Sequence, residues 1–118
     1  MSDHEDPSDK EPKHVRLDSY HEGSNGEIIN HDSGVLRRKP HRRFVFSWRE
    51  HDAKWSLVAE EAGGAYSGFL ERNKHNVGPV DVCVDKGPDG EWALDIKWTD
   101  HGLTHEWTIK AVEEPVET

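Results

Sequence analysis

Residues 80–98 read VDVCVDKGPDGEWALDIKW, and this stretch decides the fold predicted for the second half of the chain. Apolar and polar side chains alternate on both sides of the Gly-Pro-Asp-Gly sequence at 87–90. That sequence suits a type I turn followed by a glycine in the left-handed conformation. The turn sets Val82 opposite Ile96, and alternation with a period of two predicts a β-hairpin.

A second turn extends the hairpin into a three-stranded meander. Gly102-Leu103 places glycine first, as a type II′ turn requires, and this turn pairs Trp98 with Trp107 and Ile96 with Ile109. One face of the predicted meander is then apolar. The other face carries polar and charged side chains, namely Asp81, Cys83, Asp85, Asp95, Lys97, Thr108 and Lys110.

The stretch from Phe44 to Glu60 predicts another hairpin. Aromatic and aliphatic residues alternate with polar ones, and a turn at His51-Asp52 sets Trp48 opposite Trp55. The same register brings the like charges of Arg49 and Lys54 together, so a turn longer than two residues is also considered.

Residues 61–74 are predicted to form a helix that covers the apolar face of the sheet. Apolar side chains follow a three-to-four spacing, and those expected to face inward are Ala62, Ala65, Tyr66, Phe69 and Leu70. Gly63, Gly64 and Gly68 oppose this helix, since each costs up to ~1 kcal/mol relative to alanine. The expected fold is therefore α+β: a hairpin, one helix and a three-stranded meander.

The composition divides the chain into four parts. Charged residues make up 33% of the sequence and hydrophobic residues 32%, so part of the chain is expected not to fold. Residues 1–26 are predicted to be a disordered acidic tail and 27–43 a linker that permits a short hairpin. A single domain follows at 44–113, and 114–118 are expected to fray.

Cellular location is predicted from what the sequence lacks. No apolar run approaches the length of a transmembrane helix, and the N-terminus has no secretory signal. Cys83 has no second cysteine to pair with, which favours a reducing, cytoplasmic setting.

Two stretches resemble each other: WREHDAKWSL at 48–57 and WTDHGLTHEWTI at 98–109. Each runs from a tryptophan through an acid and a histidine to a second tryptophan. Cross-strand aromatic pairs are a common device of β-sheets, which favours a structural interpretation over two copies of a site.

The histidines at the hairpin tips raise the alternative of a metal-dependent enzyme. Its ligands would come from His51, Asp100, His101 and His105. A zinc site needs three or four converging ligands, and the predicted register aligns two, so no metal or cofactor is expected. Cys83 has acidic neighbours, which oppose formation of a thiolate, and no catalytic residue is predicted.

The net charge of −9 favours a non-enzymatic module that binds a basic protein, such as an inhibitor of a nucleic-acid-handling protein. Its contact residues would be Asp81, Asp85, Asp89 and Asp95. The alternative is a nucleic-acid-binding protein that uses the basic cluster, defined as Arg37, Arg38, Lys39, Arg42 and Arg43. This cluster contrasts with the acidic remainder of the chain, so both hypotheses stay open.

Overall fold

The computed structural model describes residues 14–23 and 25–114, and within these ranges it contains nine β-strands and no helix. The strands are β1 (His14–Glu22), β2 (Ile28–Asn30), β3 (Ser33–Arg37), β4 (Arg43–Glu50), β5 (Ala53–Ala62), β6 (Ala65–Arg72), β7 (His75–Lys86), β8 (Trp92–Asp100) and β9 (Leu103–Glu113). No helix long and apolar enough to cross a membrane occurs in this described part of the chain.

The strands form one antiparallel sheet that closes into a barrel. From β3 to β9 each strand pairs with its neighbour in sequence. The first strand completes the circle: it pairs with β3 through residues 14–16 and with β9 through residues 17–21. The short strand β2 is an addition to this eight-stranded barrel and pairs with the end of β1.

Side chains fill the interior of the barrel because every strand alternates inward and outward positions. Strand β1 shows this most plainly, with buried and exposed residues in strict alternation. The largest fully buried side chains are Trp48, Phe44, Phe46, Leu36, Leu57, Leu70, Leu94, Ile96 and Ile109. An eight-stranded barrel is just wide enough to be packed by side chains or to hold one small ligand.

The predicted α+β fold is wrong, because residues 61–74 form strands instead of a helix. Gly63 and Gly64 have φ angles of 63° and 86°, so they form a tight turn that joins β5 to β6. Tyr66 and Leu70 do face inward, but Phe69 points outward and is 54% exposed. The glycines decide between the two patterns: they suit a hairpin turn, and glycine inside a helix is unfavourable.

The predicted disorder over residues 1–26 is also wrong for the part that the structure describes. Residues 14–22 form β1, which closes the barrel, while residues 1–13 lie outside the described ranges. The linker 27–43 contains β2 and β3, and both pair with β1 instead of with each other. Of the predicted frayed end 114–118, only Glu114 is described.

Two predicted hairpin registers are confirmed. Val82 lies opposite Ile96, and Trp48 lies opposite Trp55. The latter hairpin turns on two residues, so the longer turn considered for it is wrong. His51 and Asp52 have φ angles of 53° and 59°, as a type I′ turn requires.

The β8–β9 register differs from the prediction by two residues. Trp98 pairs with His105, and Ile96 pairs with Trp107. The turn is formed by His101 and Gly102, whose φ angles of 49° and 80° give a type I′ turn in place of the expected type II′. A shift of two residues keeps every side chain on its predicted face, so the pattern of alternation remains correct.

Gly68 marks a close approach between β5 and β6, and Gly68→Ala should lower the free energy of unfolding by about 1–3 kcal/mol. An added methyl group would collide with the carbonyl oxygen of Val58 and crowd the side chains of Val80 and Val82. Denaturation with urea measures the loss. The exposed neighbour provides a control, because Ser67→Ala should change stability by less than about 0.5 kcal/mol. Equal stability of the two variants would contradict the close approach.

Candidate site at the mouth of the barrel

One end of the barrel, called the mouth here, opens into a cavity of about 550 Å³. The turns at 51–52 and 101–102 lie at this end, together with residues 22–23 after β1. The cavity is lined by His21, Glu22, Gly23, Trp48, Glu50, His51, Trp55, Leu70, Trp98, Thr104, His105, Glu106 and Trp107.

Four of the five tryptophans line this cavity. Trp48 and Trp55 come from paired positions on β4 and β5, while Trp98 and Trp107 come from β8 and β9. The rings of Trp55 and Trp98 meet edge to face with centroids 6.3 Å apart, and this contact joins the two hairpins. The similar sequences at the two hairpins therefore supply one site from two sides, in addition to their structural role.

Glu50 is the carboxylate that the tryptophans hold in place. The indole nitrogen of Trp48 donates to Glu50 Oε1 over 3.1 Å, and that of Trp55 donates to the Glu50 carbonyl oxygen over 3.2 Å. His51 Nε2 lies 3.6 Å from Oε2. The Glu50 side chain is 19% exposed, so it is partly removed from solvent.

A chain of buried polar side chains leads from the interior of the barrel to Glu50. The distance from Ser19 Oγ to His31 Nδ1 is 2.8 Å, and the distance from His31 Nε2 to His21 Nδ1 is also 2.8 Å. His21 Nε2 then lies 3.4 Å from Glu50 Oε1. The two imidazoles thus connect a hydroxyl to a carboxylate in one line.

Hydrogen-bonding chemistry fixes one direction along this chain. A carboxylate only accepts, so His21 presents its Nε2–H to Glu50 and accepts at Nδ1. His31 must then donate from Nε2, and its Nδ1 accepts from the Ser19 hydroxyl. Both histidines are neutral in this arrangement, and every polar atom in the chain has a partner.

Burial keeps both histidines neutral. It lowers the pKa of His31 to about 3, and the nearby His21 lowers it further. Burial also lowers the pKa of His21, although the negative charge of Glu50 opposes this effect. Neither ring therefore carries a charge at neutral pH, and the negative charge of Glu50 is not cancelled by them.

Gly34 provides the space for the buried hydroxyl. A methyl group at this position would lie 2.9 Å from Ser19 Oγ and 3.1 Å from the Leu17 carbonyl oxygen. Ser19 itself is only 3% exposed. It is too deeply buried to meet a substrate, so the chain from Ser19 to His21 orients Glu50 and does not form a nucleophile–base pair.

The residues suggested for a metal site do not converge. His51 and His101 lie at different turns, and His101 contacts its neighbour Asp100 with an Nε2–Oδ1 distance of 3.5 Å. His105 stacks on Trp98, with ring centroids 5.1 Å apart. Within residues 14–23 and 25–114, no group of three or more His, Cys, Asp and Glu side chains could hold a metal ion.

The four predicted contact aspartates lie away from the mouth. Asp81, Asp85 and Asp95 are exposed on the outer wall formed by β7 and β8. Asp95 accepts a hydrogen bond of 2.7 Å from the Thr108 hydroxyl, and Asp89 accepts one from the backbone of Glu91 in the turn. A shallow groove includes Asp81 and Asp95, so this wall remains accessible to a partner.

The basic cluster lies near the opposite end of the barrel, where acids and aromatic rings engage it. Arg37 pairs with Glu60 over 3.3 Å, and Arg38 pairs with Glu113 over 2.8 Å. The guanidinium of Arg42 stands over the Trp92 ring, 5.4 Å from its centroid. These contacts reduce the charge that Arg37, Arg38 and Arg42 could offer to phosphates, and Lys39 and Arg43 complete the cluster.

Sequence reasoning missed His21, His31 and Glu50 as site residues. His21 lies in the segment predicted to be disordered, and His31 lies in the predicted linker. The alternation of Val15 and Leu17 with polar residues was a signal for a strand in that segment. No local pattern indicates the contact between the histidines, because it depends on closure of the barrel.

No family model matches the sequence, and it matches no curated protein and no solved structure. The functional argument therefore depends on the geometry of this chain alone.

Proposed function

We propose that this chain is a non-enzymatic binding protein that holds one small organic molecule in the mouth of its barrel. The observation that carries the proposal is the cavity of about 550 Å³ lined by four tryptophans and a fixed carboxylate. Small-molecule sites have volumes of roughly 300–1,000 Å³ and combine apolar walls with a few well-placed polar groups. The mouths of β-barrels are among the places where such sites occur.

The arrangement around Glu50 supports binding over catalysis. The buried chain of Ser19, His31 and His21 holds the carboxylate in one position, and a position fixed in advance reduces the ordering that a ligand would require. The described lining residues include no serine or cysteine that could act as a nucleophile. What they offer a ligand is aromatic surface and a hydrogen-bond acceptor.

Binding of a neutral aromatic dye, N-phenyl-1-naphthylamine, tests this proposal. Its fluorescence should rise saturably at a stoichiometry of about one dye per chain, as expected for one apolar cavity. Trp98→Ala removes one wall of the cavity and should weaken binding by about tenfold or more, since a lost aromatic contact is worth roughly 1–2 kcal/mol.

The fifth tryptophan provides the matched control. Trp92 lies outside the cavity lining and contacts Phe44 and Arg42 near the other end of the barrel. Trp92→Phe should leave dye affinity unchanged. Absence of saturable binding, or equal loss in both variants while both remain folded, would contradict the proposal.

Docking of a basic protein on the outer acidic wall is the second candidate function, and the exposure of Asp81, Asp85 and Asp95 favours it. Changing these three residues to lysine should abolish capture of the partner and leave the fold intact. The matched control is glutamine at Arg37, Arg38, Arg42 and Arg43. Loss of binding in the control alone would favour the nucleic-acid alternative instead. The exposed free thiol of Cys83 supports a reducing, cytoplasmic location for either function.

A further inference from the structure

The charges that line the mouth are all of one sign. Glu22, Glu50 and Glu106 supply three carboxyl groups, and the lining contains no lysine or arginine. Burial lowers the pKa of His21, so this ring adds no positive charge at neutral pH. The exposed His51 and His105 are the other titratable groups of the lining. A ligand in the cavity therefore meets a negative field, which disfavours anions.

The aromatic walls favour the same sign of ligand. The face of a tryptophan ring carries negative electrostatic potential and attracts a cation within about 6 Å of its centroid. One such contact is already present at the rim, where the Arg72 guanidinium stands 5.8 Å from the Trp55 centroid. Trp48, Trp98 and Trp107 line the same cavity without a lysine or arginine over them among the described contacts.

Glu50 provides the specific partner for a positive charge. Within the described ranges, the side chains in ion-pair distance of this carboxylate are His21 and His51, and no lysine or arginine pairs with it. It is partly desolvated and held by the Trp48 indole. Interactions with a charge in such an environment are stronger than at an exposed surface, because water screens them less.

We infer that the ligand of the mouth is an organic cation, an amine or quaternary ammonium compound whose charged group lies between the tryptophans and Glu50. This inference rests on the proposed small-molecule site. A neutral ligand would leave the buried carboxylate without a partner, and an anion would face three carboxyl groups. A quaternary ammonium group has the required combination of charge and apolar surface.

Choline and 3,3-dimethylbutan-1-ol test the inference, because they have nearly the same shape and differ in charge. Isothermal titration should show choline binding about tenfold tighter or more than the neutral alcohol, corresponding to a cation–π and carboxylate contribution. Glu50→Gln keeps the size of the side chain and removes its charge, so it should remove most of this preference. The control is Glu61→Gln, on the part of β5 far from the mouth, which should preserve the preference.

Arg72→Gln gives an independent sign. Removing the positive charge at the rim should strengthen choline binding several-fold and leave the neutral alcohol unchanged. A decrease in choline affinity would contradict a cation site beside Trp55.

Each remaining outcome of the titrations decides a separate point. Equal affinity for choline and the alcohol, or an unchanged preference in Glu50→Gln, would overturn the cation inference while the small-molecule site stands. Binding of the neutral dye without binding of choline would do the same. If neither dye, choline nor alcohol binds, the proposed function fails and the inference fails with it.

Discussion

Replacing Trp48 with alanine is expected to lower the free energy of unfolding by about 4 kcal/mol, in the range found for buried aromatic residues. Trp48 is 2% exposed and touches both buried histidines. Its ring stacks on His31 with centroids 4.9 Å apart and meets His21 edge-on at 5.0 Å. The substitution also removes the indole that donates to Glu50. Denaturation with urea or guanidinium measures the loss.

Phe69→Ala is the matched control, because Phe69 is an aromatic residue on the outer wall. It should change stability by less than about 1 kcal/mol. Trp48→Phe keeps most of the buried ring and should fall between the two alanine variants. A loss below about 1 kcal/mol for Trp48→Ala would show that the residue is not in the core.

Acidification is expected to destabilise the protein through His31. Because burial lowers the pKa of this histidine to about 3 from its ordinary value of 6.5, the unfolded chain binds a proton more readily than the folded chain. The stabilising contribution is present above pH 6.5 and is lost as pH falls from 6.5 towards 3. Because His31 keeps some contact with solvent, we expect a loss of about 2 kcal/mol between pH 7 and pH 4, less than the full shift implies.

His31→Gln separates this effect from general acid denaturation. The variant cannot gain a proton at this position, so its stability should fall less steeply than that of the wild type over the same pH range. His75→Gln, at an exposed position on β7, should keep the wild-type slope. Equal slopes for wild type and His31→Gln, measured by chemical denaturation at each pH, would contradict a buried neutral histidine.

Local turn chemistry explains which strand pairs could be predicted. The turn at 87–90 and the alternation beside it determine that Val82 faces Ile96, and few residues separate the partners. At 101–102 two turn types suit the same sequence, and the chain adopts the one in which His101 takes a positive φ. Histidine tolerates this conformation better than most residues, which turn preferences centred on glycine do not reveal.

Closure of the barrel could not be predicted in the same way. The pairing of Ser19 with Ala111 joins residues from opposite ends of the chain, and no turn connects them. The acidic composition around β1 resembles that of a disordered segment, and only a few apolar side chains in it face the core. Without this strand, the meander seemed to need a helix to cover its apolar face, although the sheet covers that face by closing on itself.

The site followed the same division. Similarity between the two tryptophan hairpins was visible in the sequence, but their meeting at the contact of Trp55 with Trp98 depends on curvature of the whole sheet. The buried contact between His21 and His31 depends on β1 and on the connection between β2 and β3. Features that arise within one hairpin could be predicted, and features that several strands create together could not.

The most direct test of the small-molecule site is an NMR titration of the indole N–H signals with benzyltrimethylammonium, which carries both an aromatic ring and a positive charge. The five tryptophans give five probes, and four of them line the mouth. We predict saturable shifts for Trp55, Trp98 and Trp107, with Trp48 affected through its bond to Glu50, while the signal of Trp92 stays in place. Signals that do not move at millimolar ligand, or a Trp92 signal that moves as far as the others, would contradict a binding site at the mouth of the barrel.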